Sequence, residues 1–130
     1  MLAGKALTAH PRGIGRRVLL LSNSGGPGVL CTDRCADEGL VLPSLPAPLE
    51  ARLRAFFPPE AVAANPLDLL ADAREERFGP TLEAALQAGA GAFDAILMIH
   101  VVPFMVDAGP VVERLAQHAR DARLPLLHAM

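Results

Sequence analysis

Apolar residues in this chain fall into short blocks separated by glycine, proline and polar clusters. Arg17 to Leu21 (RVLLL) is an apolar run that ends at Ser22-Asn23-Ser24-Gly25-Gly26-Pro27-Gly28. The spacing beyond it predicts a helix over Val29 to Glu38, closed by Gly39 at its C′ position. Leu40-Val41-Leu42 then predicts a second strand. Pro43, Pro46 and Pro48 punctuate the entry to a helix over roughly Ala47 to Phe56, which Pro58-Pro59 stops. Asn65 to Leu70 (NPLDLL) reads as an extended, partly apolar piece. From Arg74 to Ala88, apolar residues recur at Phe78, Leu82, Ala85 and Leu86, the stripe of an amphipathic helix that ends at Gly89 and Gly91. Phe93 to Val102 is almost continuously apolar, as a strand buried on both faces of a parallel sheet requires. Asp107 to Ala122 predicts another amphipathic helix, with Val111, Val112, Leu115 and Ala119 inward, and Leu124 to Leu127 begins a last strand. Repeated alternation of strand and helix predicts an α/β fold: a three-layer domain with a mostly parallel sheet of about four strands.

The chain has 130 residues, the size of one domain with one core. Residues 1–16 carry Pro, Gly and basic residues without period and read as a tail or linker, leaving residues 17–130 as the domain. Hydrophobic residues make up 52% and charged residues 20%, too apolar a mixture for a disordered segment. A net charge of −2 offers no field for phosphate backbones, so nucleic acid is not an expected partner. The longest apolar stretch, Ala95 to Val106, is interrupted by His100 and Pro103 and is too short to span a membrane. No secretory signal is recognisable, and two cysteines make no disulfide framework; the expected location is the cytoplasm.

In open parallel sheets, ligands sit beyond the carboxyl ends of the strands. Two segments fall there. The first is NSGGPG, Asn23 to Gly28, where backbone N–H groups and the positive end of a helix dipole converge on a place for an anion. The same glycines also suit a plain tight connection. A dinucleotide fingerprint read from Gly26 meets Cys31 in place of its third glycine, and a P-loop would need Gly-Lys-Ser/Thr. The second segment is His100 to Met105 (HVVPFM). His100 at a strand end could serve as acid or base, but with no carboxylate nearby in sequence it reads first as a structural residue. Asp68 points from NPLDLL near the same edge, as a turn cap or as a site carboxylate. Cys31 and Cys35 share a helix face and read as core. Ser22 and Ser24 do not form a nucleophile elbow, and no pair of histidines has metal-ligand spacing, so no metal site is expected.

Taken in order, RVLLLSNSGGPGVLCTD, FFPPEAVAANPLDLLADA and FDAILMIHVVPF resemble a domain of the ADP-forming (NDP-forming) acyl-CoA synthetases, relatives of succinyl-CoA synthetase. The resemblance implies a flavodoxin-like fold equivalent to the carboxy-terminal domain of the succinyl-CoA synthetase β subunit. It implies that Asn23, Ser24, Gly25, Gly26 and Gly28, with Pro103, Phe104 and Met105 of the later loop, line the site for carboxylate substrate and phosphate. His100 and Asp68 would be accessory. The parent reaction would be acyl-CoA + ADP + phosphate to carboxylate + CoA + ATP, using CoA, ATP/ADP and Mg²⁺. The family's catalytic histidine lies in a Ser-His-Thr-Gly-Ser stretch that this sequence lacks. No residue here is therefore assigned to catalysis, and the isolated chain is expected to hold no cofactor and to be inactive. Its partners would be the CoA-binding, phosphohistidine and ATP-grasp domains or subunits. Two other readings remain open: a ligand-sensing regulatory domain of an acetyltransferase fusion, and an oligomerisation module.

Overall fold

A computed structural model describes residues 13–88, 91–102, 107–121 and 124–130. Among the described residues there are four strands and four helices: β1 Val18–Ser22, α1 Gly25–Asp37, α2 Ala47–Arg54, β2 Leu67–Asp68, α3 Glu75–Ala88, β3 Ala95–Ile99, α4 Gly109–Asp121 and β4 Leu126–Ala129. The strands form one sheet in the order β2-β1-β3-β4, all parallel. This is the α/β architecture that the alternation of periods predicts.

Strand alternation assigns the faces. Leu19 and Leu21 of β1 stand opposite Ile96 and Met98 of β3. All four are fully buried in one cluster with Leu49 and Leu53 of α2, Phe78, Leu82 and Ala85 of α3, and Val111 and Leu115 of α4. Helices α2, α3 and α4 pack side by side over this face, and each large side chain removed from water there is worth about 1.5–3 kcal/mol. The intervening residues Val18 and Leu20 point to the other face, where α1 packs against β1 and brings buried Cys35.

The second face corrects one expectation. Ile96 and Met98 are buried, but Leu97 and Ile99 are only half-buried. The reason is coverage: α1 shields β1, and among the described residues no other helix lies over the β3 and β4 side of that face. On α1 itself, Val29 and Leu30 are 60% and 71% exposed.

The outer edge of β1 corrects another. Leu40-Val41-Leu42 does not form a strand; only Val41 bridges to the sheet, beside Arg17. Pro43 follows at once, cannot donate to a ladder, and ends the pairing. Higher up the edge, the Asn65 side chain stands in for a strand: its Oδ1 accepts the Leu20 N–H at 3.0 Å, and its Nδ2 donates to the Val18 and Pro43 carbonyls at 2.8 and 2.9 Å. The extended piece read from the sequence then supplies β2, two residues paired with Leu21 and Ser22.

Helix α1 begins at Gly25, four residues earlier than expected, so the glycine-rich segment is the first turn of the helix and not a loop before it. Its far end is as predicted. Gly39 adopts φ +70°, its N–H donates to Ala36 and the Leu40 N–H donates to Cys35, the paired bonds of a Schellman motif.

Candidate anion site at the strand ends

The connection after β1 runs to one side of the sheet, toward β2, and the connection after β3 runs to the other, toward β4. The carboxyl ends of β1 and β3 therefore form the switch point at which open parallel sheets bind ligands. Both segments singled out from the sequence meet here.

Ser22, the last residue of β1, is buried, and its Oγ both accepts the Ser24 N–H at 3.0 Å and donates to the Ser24 carbonyl at 2.8 Å. Asn23, 1% exposed, turns its amide across the crevice: Nδ2 donates to the Val101 carbonyl and Oδ1 accepts the Val101 N–H, each at 2.8 Å. The Asn23 side chain thus joins the two loops through both its Nδ2 and its Oδ1.

Ser24 is the N-cap of α1, with extended φ and ψ of −145° and 120°, yet its side chain makes no capping bond. The first helical turn explains why donors are left over. A helix start leaves four N–H groups without an intrahelical partner. Here Ser22 satisfies that of Ser24, Pro27 has none, and no described residue accepts from Gly25 or Gly26. These two amides form the positive end of the helix dipole, next to Ser24. A Cβ added at Gly26 would meet nothing within 4 Å, so the approach is open. Gly28 is buried, and its missing Cβ would lie 3.5 Å from Ser22 Cβ, in ordinary contact.

Asp68 is a turn cap that also lies near the start of α1. Its Oδ1 accepts the Leu70 N–H at 2.9 Å, capping the turn in which Leu70 adopts φ +67°, a strained angle for a branched residue. Its Oδ2 lies 3.7 Å from where a Gly25 Cβ would sit, so a carboxylate already borders the start of α1.

His100 lies just beyond β3, 2% exposed. Its ring is flanked by Phe78, with centroids 5.0 Å apart, and by His128 of β4, stacked at 5.8 Å. Pairing of Met98 with His128 brings the second histidine there. His128 lies far from His100 in sequence, and only the parallel alignment of β3 with β4 brings the two rings together. His100 Nδ1 and His128 Nε2 are buried without a hydrogen-bond partner among the described residues. Burial pushes the pKa of both below the usual 6.5, His128 also through the neighbouring His100, so both imidazoles are neutral at pH 7. A cavity of about 300 Å³ opens beside His100, between the starts of α3 and α4. Pro103, Phe104 and Met105 lie outside the described residues.

Cys35 is buried, as a core reading requires, whereas Cys31 is only half-buried. Burial, with Cys35 beside it, pushes the Cys31 thiol up to about 11, which suppresses thiolate reactivity. Among the described residues, no three or more His, Cys, Asp or Glu side chains cluster to hold a metal, and no helix is long and apolar enough to cross a membrane.

The family of the Ligase-CoA domain matches residues 18–122. The chain belongs to the Ligase-CoA domain family. This Ligase-CoA domain is 36% identical over 110 residues to the alpha subunit of the ADP-forming acetate-CoA ligase II of Pyrococcus furiosus, over 85% of this chain and 24% of that one. A crystal structure from Pyrococcus horikoshii superposes with a TM-score of 0.80 at 32% identity, covering 88% of this chain and 27% of that one. The dinucleotide forming acetyl-coenzyme A synthetase 1 of Ca. Korarchaeum cryptofilum, in complex with phosphate and ADP, superposes with a TM-score of 0.71 at 29% identity, over 88% of this chain and 25% of that one. The Ligase-CoA domain thus spans about a quarter of the length of these relatives, each of which carries further domains.

Proposed function

We propose that this Ligase-CoA domain positions phosphate and the substrate carboxylate within an ADP-forming acyl-CoA synthetase, and performs no bond-making step of its own. The observation that carries this reading is the pair of unclaimed amides, Gly25 and Gly26, at the start of α1 and at the switch point of the sheet. Two N–H donors and a hydroxyl fit a tetrahedral oxyanion. Similarity to an ADP-forming acetate-CoA ligase subunit, and to a synthetase solved with phosphate and ADP, supports phosphate as that anion. CoA, the nucleotide and Mg²⁺ are assigned to other domains of the synthetase. The half-open face of β3 and β4, and exposed Val29 and Leu30 on α1, support packing against such domains or subunits.

A helix terminus in water contributes only about 0.3–1 kcal/mol toward a charge, so phosphate binds the domain alone in the millimolar range or more weakly. Titrating ¹⁵N-labelled chain with inorganic phosphate tests the reading. The Gly25 and Gly26 amide signals are expected to shift together, and Gly26→Val to reduce the shift while leaving the remaining spectrum in place. Gly25 and Gly26 signals that ignore phosphate would leave this turn a helix start without a ligand.

A further inference from the structure

The stacked histidines at the ends of β3 and β4 have no part in the positioning role. His128 pairs with Met98, and His100 follows Met98 by two residues, so both side chains belong to the face that α3 and α4 cover. The two ring centroids lie 5.8 Å apart with 25° between the ring planes, and Phe78 of α3 lies 5.0 Å from His100. His100 Nδ1 and His128 Nε2 are cut off from water and have no hydrogen-bond partner among the described residues. The charged groups at hand are Arg74, Glu75 and Glu76 at the start of α3 and Asp107 just ahead of α4, which border the cavity beside His100. From α4 that wall receives Pro110 and Val111, and from β4 the group in contact is His128. None of these groups bonds to the two orphaned nitrogens. A proton on either ring is therefore a buried charge without a partner, and a second would set two like charges at the distance of the stack.

The main chain connects this pair to the switch point of the sheet. The His100 N–H donates to the Ala129 carbonyl at 2.9 Å, and the next residue, Val101, is the one that Asn23 holds. Among the described residues β4 is an edge strand paired with β3 alone, so its end can part while the rest of the sheet stays folded. We propose that the His100–His128 pair is a proton-operated latch: neutral, the rings keep the ends of β3 and β4 together; protonated, they part and loosen the grip of Asn23 on Val101. The closed state wins while both rings are neutral, because two flat apolar faces stack out of water. With a proton on the pair the open state wins, because water then solvates the charge and Glu75, Glu76 and Asp107, against Arg74 alone, attract it. Burial holds both rings neutral at pH 7, so the latch is shut there and releases on mild acidification. It needs no bound phosphate and stands apart from the positioning role.

An NMR titration of the ¹⁵N-labelled intact chain from about pH 7.5 to about 5, without phosphate, tests the latch. Histidine-ring signals report protonation, and the Asn23 side-chain amide and Val101 backbone amide report the clamp. The two clamp signals are expected to shift together, with a midpoint shared with a ring of the pair and below the ordinary histidine value of about 6.5, while the Leu19 to Leu21 amides of β1 hold their positions. Replacing both rings, His100→Leu with His128→Leu, should leave the clamp signals constant over the range. If that double variant loses its fold by circular dichroism, the exposed changes Glu75→Gln, Glu76→Gln and Asp107→Asn made together serve instead, and should move the clamp midpoint down by about half a pH unit. Clamp signals that ignore pH, a transition that survives loss of both rings or is indifferent to the three carboxylates, or simultaneous movement of the Leu19 to Leu21 amides would each overturn the proposal.

Discussion

The Asn23 side chain grips both backbone polar groups of Val101, accepting its N–H and donating to its carbonyl at 2.8 Å each. The amide behaves as one more residue of strand, pairing the end of β1 with the end of β3 beyond the last regular ladder bond. It ties the start of α1 to the segment that follows His100. Replacing Asn23 with Ala breaks both bonds and should destabilise the fold by about 1–3 kcal/mol, seen as a lower midpoint in denaturant melts. Asn23→Asp keeps the shape but sets a carboxylate against the Val101 carbonyl, and should cost more than the alanine variant at neutral pH. Equal stability of wild type and Asn23→Ala would show that the clamp carries no load.

The Asp68 carboxylate lies near Gly25 at the start of α1, where its charge would compete with an anion. Asn at this position can still accept the Leu70 N–H while removing the charge. Asp68→Asn should therefore bind inorganic phosphate about three- to tenfold more tightly, while losing about 0.3–1 kcal/mol of stability from the dipole. Phosphate titration by NMR and a thermal melt give the two readouts, and their opposite signs distinguish a charge effect from general loosening.

Asn65 satisfies three backbone groups that no strand reaches. Asn65→Ala should cost about 2–4 kcal/mol, and hydrogen exchange should quicken first at the Leu20 amide. Fast exchange spread evenly over the sheet would point instead to global loss of stability.

Two adjacent residues of β3 should respond differently to truncation. Ile96 is fully buried under the helices, so Ile96→Ala should cost about 2–5 kcal/mol by transfer and cavity terms. Leu97 faces the half-open side, and Leu97→Ala should cost under about 2 kcal/mol in the same melts. Equal losses would mean that a further layer covers Leu97.

Stability should fall on mild acidification. His100 and His128 have pKa values held below 6.5 by burial, so near pH 6.5 the unfolded chain takes up protons that the folded chain does not. Their contribution is complete above about pH 6.5 and is lost as pH falls toward the folded-state values. The carboxylates of Asp72 and Asp94, held below 3.8 by Arg77 and Arg17, lose their share only in a separate, more acidic window. Melts between about pH 7.5 and 5 should show the decline, and His100→Leu should flatten it. A wild-type profile already flat over that range would contradict the burial of both rings.

Much of the architecture was legible in local pattern. Arg17 to Leu21 and Phe93 to Val102 carry the continuous apolar runs of the two central strands, although the second keeps one face half-open, and the stripe at Phe78, Leu82 and Ala85 marks a helix that covers them. Gly39 announces a left-handed C′ residue. These features depend on neighbours a few positions apart, and periodicity records such neighbours directly. The free donors of the glycine-rich turn were legible for the same reason, since they arise from the helix start itself.

Other features depended on residues distant in sequence. Nothing within Leu40 to Leu42 says that Pro43 will leave the edge of β1 to be finished by an asparagine side chain and a two-residue strand. Nothing local to Asn23 announces its tie to Val101, 78 positions away. His100 and His128 each look solitary until β3 and β4 align in parallel. Local propensity set the elements in order; packing of the sheet against α2, α3 and α4 chose the register, because a shift by one residue would turn Leu19, Leu21, Ile96 and Met98 out of the core.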